Sequence, residues 1–196
     1  YSGQARSFAE EYTSSTQTIL EMDVANLDQY IQGLRIFCVQ PCLNVSVYNS
    51  LLKRKPFSSS EISDIKQEIQ SSYHSRTDIR SYSITAMNQD LCFERNAGVG
   101  GQHILSTPVK DTEISRPYIA CGSNDKYEYL APPDSEDVFF RYYHYLIRLR
   151  NREPVSLSYV DVDTTQLRLL MKNHQDYGQI LCVYNSDGEL LYSSSE

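Results

Sequence analysis

The sequence predicts an α+β domain in which a long N-terminal helix backs an antiparallel sheet. Helical patterns fill the first third, period-two patterns fill most of the remainder, and the one later helix is short. No internal repeat is visible. With 196 residues and 40% hydrophobic content the chain can bury one core. It is read as a single domain over 1–196, mainly helical over 1–75 and sheet over 78–196.

The first helix is expected from about Ser7 to about Val39. Within it Leu20, Val24, Leu27, Ile31, Leu34 and Cys38 fall at alternating steps of four and three, a seam of 3.5-residue period. Such a seam covers a sheet or pairs with its copy in a second chain. Ile31, Leu34 and Cys38 lie where the sheet should be, and Leu20, Val24 and Leu27 lie nearer the chain start. Leu20, Val24 and Leu27, with Ile31 at the boundary between the two groups, are the candidates for a dimer and signalling helix.

Pro41 lacks a donor and clashes with the preceding turn, so it breaks or kinks that helix. A short apolar helix is expected over Val45 to Leu52. Ser58 and Glu61 have the form of a capping box, and Ile62, Ile65 and Ile69 continue it as one stripe to about Tyr73.

From Asp78 the period becomes two: Arg80, Tyr82, Ile84 and Ala86 alternate with Ile79, Ser81, Ser83 and Thr85. Asn88 to Asp90 make the turn and Leu91 to Arg95 the returning strand. The segment 96–126 has little periodicity and is read as a flexible loop. Gly98, Gly100 and Gly101 lie in it without the Lys-Ser/Thr and helix of a phosphate loop. Strands are expected at Tyr127 to Leu130, Val138 to Leu149 and Val155 to Val162. Asp163 then sits at an N-cap position before a helix carrying Leu167, Leu170 and Met171. Gly178 ends that connection, and Ile180 to Tyr184, the Asp187-Gly188 turn and Glu189 to Tyr192 form a closing hairpin.

A net charge of -7 with scattered Lys and Arg gives no basic face for phosphates, which argues against nucleic acid and membrane-surface partners. No run reaches the roughly 18 to 20 apolar residues of a spanning helix. No signal peptide precedes Tyr1, and the ends lack natural punctuation, which points to a piece of a longer protein. Cys38, Cys42, Cys92, Cys121 and Cys182 match neither a zinc site nor a disulfide framework and read as small buried hydrophobes, with a Cys92–Cys121 bridge as the alternative. Sixteen tyrosines without tryptophan suit either the wall of a small-molecule pocket or half-buried strands.

Catalytic chemistry finds little footing. There is no Gly-x-Ser-x-Gly elbow, and His74, His103, His144 and His174 have no partners at metal or nucleophile spacing. Asp161 and Asp163 share a face of an extended strand, but the second is better used as a helix cap. Asn44-Val45-Ser46 fits a glycosylation sequon. Neither a metal nor a bound nucleotide is expected, and no cofactor. A small hydrolase remains the reading from a different class, because tyrosine-rich strands can line an active site.

Several pieces recur in order: Tyr145-Leu146-Ile147-Arg148, the polar turn Asn151 to Pro154, Val160-Asp161-Val162-Asp163, and Thr165-Gln166-Leu167. After them come Gly178-Gln179-Ile180-Leu181 and the run Ser186 to Ser193, with Leu27-Asp28-Gln29-Tyr30-Ile31 near the start. In this order the chain resembles the extracytoplasmic Cache domains, PAS-like in fold, of YesM-type two-component sensor histidine kinases. The resemblance covers nearly the whole chain. Family members often continue past the closing hairpin, and some hold amino acids with a tryptophan that this chain lacks.

The resemblance implies a non-enzymatic sensing domain outside the membrane, tethered by membrane helices beyond this chain, with the kinase region beyond it too. The ectodomain of a membrane-anchored AraC-type regulator is the alternative within the same fold. The resemblance also implies that the sheet face away from the long helix holds an unknown small polar ligand. On that face Tyr159 and Asp161 share parity on one strand, as do Arg141, Tyr143 and Tyr145 on its neighbour. Tyr127 and Tyr129 are expected to enter from the loop side.

Overall fold

A computed structural model of the chain describes residues 2–73, 76–96, 104–109, 127–148, 150–171 and 180–194. The first helix, α1 (Ser2–Val39), starts earlier than the apolar seam does. At about 1.5 Å per residue it is about 57 Å long. Its C-terminal part enters the core: Leu34, Phe37 and Cys38 are buried there, and Leu27, Tyr30 and Ile31 pack partly against it. Leu20 and Val24 stay exposed. The seam therefore divides between Val24 and Leu27, one step earlier than the sequence suggests, and Leu27 and Ile31 serve their own domain's packing.

Pro41 ends α1 as expected, in the first turn of a 3-10 turn (Gln40–Leu43) where a missing N–H costs nothing. Asn44 caps α2 (Val45–Leu52) by accepting from Ser46 N at 2.9 Å and Val47 N at 3.4 Å. Its amide donates to Glu68 Oε1 at 2.6 Å, so the sequon asparagine has a structural use. The capping box opens α3 (Ser59–Tyr73): Ser58 N donates to Glu61 Oε2 at 2.9 Å, and Glu61 N to Ser58 Oγ at 3.3 Å.

Six strands follow: β1 (Ile79–Ala86), β2 (Leu91–Asn96), β3 (Leu105–Pro108), β4 (Glu128–Ala131), β5 (Val138–Ile147) and β6 (Pro154–Asp163). Their order is β3-β2-β1-β6-β5-β4, with every neighbouring pair antiparallel. Strand β3 falls within the segment read as a loop; its four residues are all exposed, so no alternation marks it. The rest of that segment, with Cys121 and the three glycines, lies outside the described residues, as do His74, His103, His174 and Gly178.

Asp163 caps α4 (Thr164–Leu170), accepting from Thr165 N at 2.8 Å. The closing hairpin, β7 (Cys182–Tyr184) and β8 (Leu190–Ser193), is a separate two-stranded sheet. Its turn needs Gly188, whose φ of +80° a side chain would disfavour. Among the described residues no helix is long and apolar enough to cross a membrane.

The core lies between α1–α3 and one face of the sheet. Tyr82 and Ile84 of β1, Phe93 of β2, Tyr142 of β5 and Val160 of β6 point into it. A bulge between Ile79 and Ser81 turns Ile79 to the same side, against strict alternation. Two contacts fix α1 on this face. The Cys38 carbonyl accepts from the hydroxyls of Tyr82 at 3.3 Å and Ser158 at 3.4 Å. Tyr30 donates to Asp78 Oδ2, and Arg76 Nε holds Asp78 Oδ1 at 2.7 Å.

Candidate functional site

The antiparallel register arranges the other sheet face in rows. The first runs Ser81, Asp161, Arg141, Ala131 across β1, β6, β5 and β4. The second runs Glu94, Ser83, Tyr159, Tyr143, Tyr129, and the third Cys92, Thr85, Leu157, Tyr145. Period-two alternation turns all of these side chains away from α1.

The first row carries the charge. Arg141 binds Asp161 through both ends of its fork, Nε to Oδ1 at 2.6 Å and Nη2 to Oδ2 at 2.9 Å. Ser81 adds a hydrogen bond to Oδ2, and the third guanidinium nitrogen reaches Asp134 at 2.9 Å. The Arg141 guanidinium also lies 4.3 Å from the centre of the Tyr159 ring. Burial alone would make the guanidinium easier to deprotonate, but the bonds to Asp161 outweigh it, and the group is held above its ordinary pKa.

The second row is aromatic. Tyr143 meets Tyr159 edge-on at 6.0 Å and stacks beside Tyr129 at 6.4 Å. Burial pushes the Tyr159 and Tyr143 phenols above their usual pKa, so both stay protonated and able to donate. Ser83 is buried in the same row, and its hydroxyl has no hydrogen-bond partner among the described residues.

Six of the seven expected residues thus share one face, and Arg141 and Asp161 are direct partners. Tyr145 lies deeper, in an apolar cluster with Tyr129, Ala131 and Leu157. Tyr127 is the exception: it precedes β4 at the sheet edge and lines a separate cleft beside α1. Four residues were not anticipated: Ser81, Ser83, Glu94 and Asp134. The first two were signalled by small polar residues alternating with Tyr82 and Ile84, a pattern of two buried faces. Cys92 is buried on this face too, while its suggested bridge partner lies outside the described residues.

The face thus sets a buried ion pair beside a row of tyrosines. Asp161 and Asp163 do not act as a pair, because Asp163 is a helix cap and Asp161 is bound to Arg141. Among the described residues no three His, Cys, Asp or Glu side chains could together hold a metal ion.

No protein-family model matches the sequence, and no curated protein gives a significant match. Solved structures do match. The sensory domain of the Campylobacter jejuni chemoreceptor Tlp3 with isoleucine bound has a TM-score of 0.65 at 11% identity, over 97% of this chain and 74% of that one. A second structure of that domain gives a TM-score of 0.68 at the same identity and coverage. The complex of its ligand-binding domain with L-valine gives 0.66, again at 11% identity over 97% and 74% of the two chains. This is the Cache-type, PAS-like fold of sensory domains.

Proposed function

We propose that this chain is the signal-sensing domain of a membrane receptor, exposed outside the cytoplasm, and that it binds a small polar ligand on the sheet face opposite α1. The observation that carries the reading is the Arg141–Asp161 pair, buried beside Tyr143 and Tyr159 on the sheet face turned away from α1. A ligand with separated positive and negative groups can meet both partners, with the phenols and the Ser83 hydroxyl as further hydrogen-bond groups. The Tlp3 domain was solved with isoleucine and with L-valine, which supports a small zwitterion as the ligand class.

The domain itself is proposed to be non-enzymatic. Its output is a two-component histidine kinase on the sequence resemblance. The fold neighbours belong to a chemoreceptor and favour a chemoreceptor as the second reading. The gene sequence on either side decides between them.

Calorimetry and thermal shift of the domain against amino acids, small amines and small carboxylates test the ligand reading. The expected result is one class that binds saturably and raises Tm, with binding lost in Asp161→Asn and Arg141→Gln. Binding retained at full affinity in both variants places the ligand elsewhere and overturns it.

A further inference from the structure

A second cleft lies on the other side of β4 and β5, where the sheet edge meets α1. It measures about 680 Å³, within the usual range for small-molecule sites. Asp28, Ile31 and Arg35 face it from α1, at spacings of three and four that put them on one side of the helix. The opposite wall is the β7–β8 hairpin with Tyr184, fixed to the sheet edge by Asn185. That amide donates to the Leu130 carbonyl at 2.8 Å and to Glu189 at 2.9 Å. Tyr127, at the β4 edge, is the second exposed ring beside Tyr184, and the buried Tyr129 and Tyr142 lie behind them in the lining.

The charges in the cleft do not cancel. Arg35 and Glu128 neutralise each other in a forked pair, Nε to Oε2 at 3.0 Å with a second bond from Nη2, and Glu128 also accepts from Tyr142 at 2.8 Å. Burial lowers the His144 pKa below its ordinary value, so that ring is neutral near pH 7. Asp28 is exposed to the cleft and has no partner among the described residues. One uncompensated negative charge thus stands at the mouth of a tyrosine-lined space. An anion is repelled there, whereas a cation with an apolar body meets a carboxylate and the negative faces of the rings.

We propose that this cleft is a second ligand site, selective for an organic monocation such as a quaternary ammonium compound. It borders the sheet-face site at Tyr129 but has its own carboxylate in Asp28, and its ligand would touch α1 directly.

The test is calorimetry of the purified domain with choline and with its uncharged isostere 3,3-dimethylbutanol. Choline should bind saturably, and the isostere about tenfold more weakly, since cation–ring contacts and a facing carboxylate act only on the charged compound. Asp28→Asn and Tyr184→Ala alter exposed side chains, so the fold should survive, and each should weaken choline about threefold or more. Absence of saturable choline binding, equal affinity for the isostere, or indifference to both substitutions overturns the proposal. So does choline binding that is lost in Asp161→Asn and kept in Asp28→Asn, which assigns the cation to the sheet-face site.

Discussion

Ser81 and Arg141 bind the same oxygen of Asp161, Ser81 from β1 and Arg141 from β5, so three adjacent strands meet at one carboxylate. Removing Asp161 as Asp161→Ala leaves a largely buried guanidinium with only the exposed Asp134 as a counter-charge. The expected loss is about 2–4 kcal/mol of stability, measured by urea unfolding. Replacing both partners, as Arg141→Met with Asp161→Leu, should cost less than the two single losses summed, because neither charge is then stranded. Strict additivity would mean that the pair is not coupled.

The Glu61 carboxyl gives a pH signature. The hydrogen bond from Lys53, then that from the Ser58 backbone, lowers its pKa from 4.5 to about 2. A depressed folded-state value stabilises the fold above the unfolded value, and that contribution is lost as pH falls from about 4.5 through about 2. Wild type and Glu61→Gln, unfolded in urea across this range, should differ by a constant amount at neutral pH and converge toward the acid end. A gap that persists at the acid end would show that the capping box does not depend on the ionised carboxylate.

His144 should produce the same sign in a different window. Burial is the main cause of its lowered pKa, Arg35 adds to it, and Glu128 opposes it. The unfolded chain therefore takes up this proton more readily than the folded one, and stability falls as pH drops below about 6.5. His144→Gln should flatten that part of the stability profile. An unchanged slope would assign the effect to other groups.

These features differ in how visible they are before folding. The capping box lies within four residues, and the bounds Val45–Leu52 of α2 follow from one apolar run between Asn44 and the Lys53–Lys55 turn. The faces of Arg141, Tyr143 and Asp161 follow from the period of a strand. That Arg141 sits opposite Asp161, and Tyr143 opposite Tyr159, needs the register, which the hydrophobic pattern sets only through packing. The β4-edge cleft was not visible at all, since Asp28, Glu128 and Tyr184 are brought together from distant parts of the chain by α1 lying across the sheet edge. Strand β3 was missed because an exposed edge strand of four residues carries neither alternation nor length.

The N-terminal half of α1 gives the last and sharpest expectation. Val24 is 52% exposed and Leu20 44%, whereas Leu34, on the same seam, is fully buried. Leu34→Ala should therefore cost the isolated domain about 2–5 kcal/mol, as large-to-small core changes do. Val24→Asp should leave its Tm nearly unchanged, since exposed substitutions shift stability by about 0.5 kcal/mol or less. In an intact receptor the same Val24→Asp change should alter basal output. There the exposed seam would face its copy in a two-fold dimer, where equal residues lie opposite each other and a charge repels its twin. Both halves of this contrast are measurable, one by thermal unfolding of the domain and the other by a transcriptional or motility readout of the receptor. A large loss of Tm in Val24→Asp would assign Val24 to the domain's own core. An unchanged Tm with unchanged output would leave the exposed seam without a role in signalling and confine coupling to Leu27, Ile31 and the buried turns beyond them.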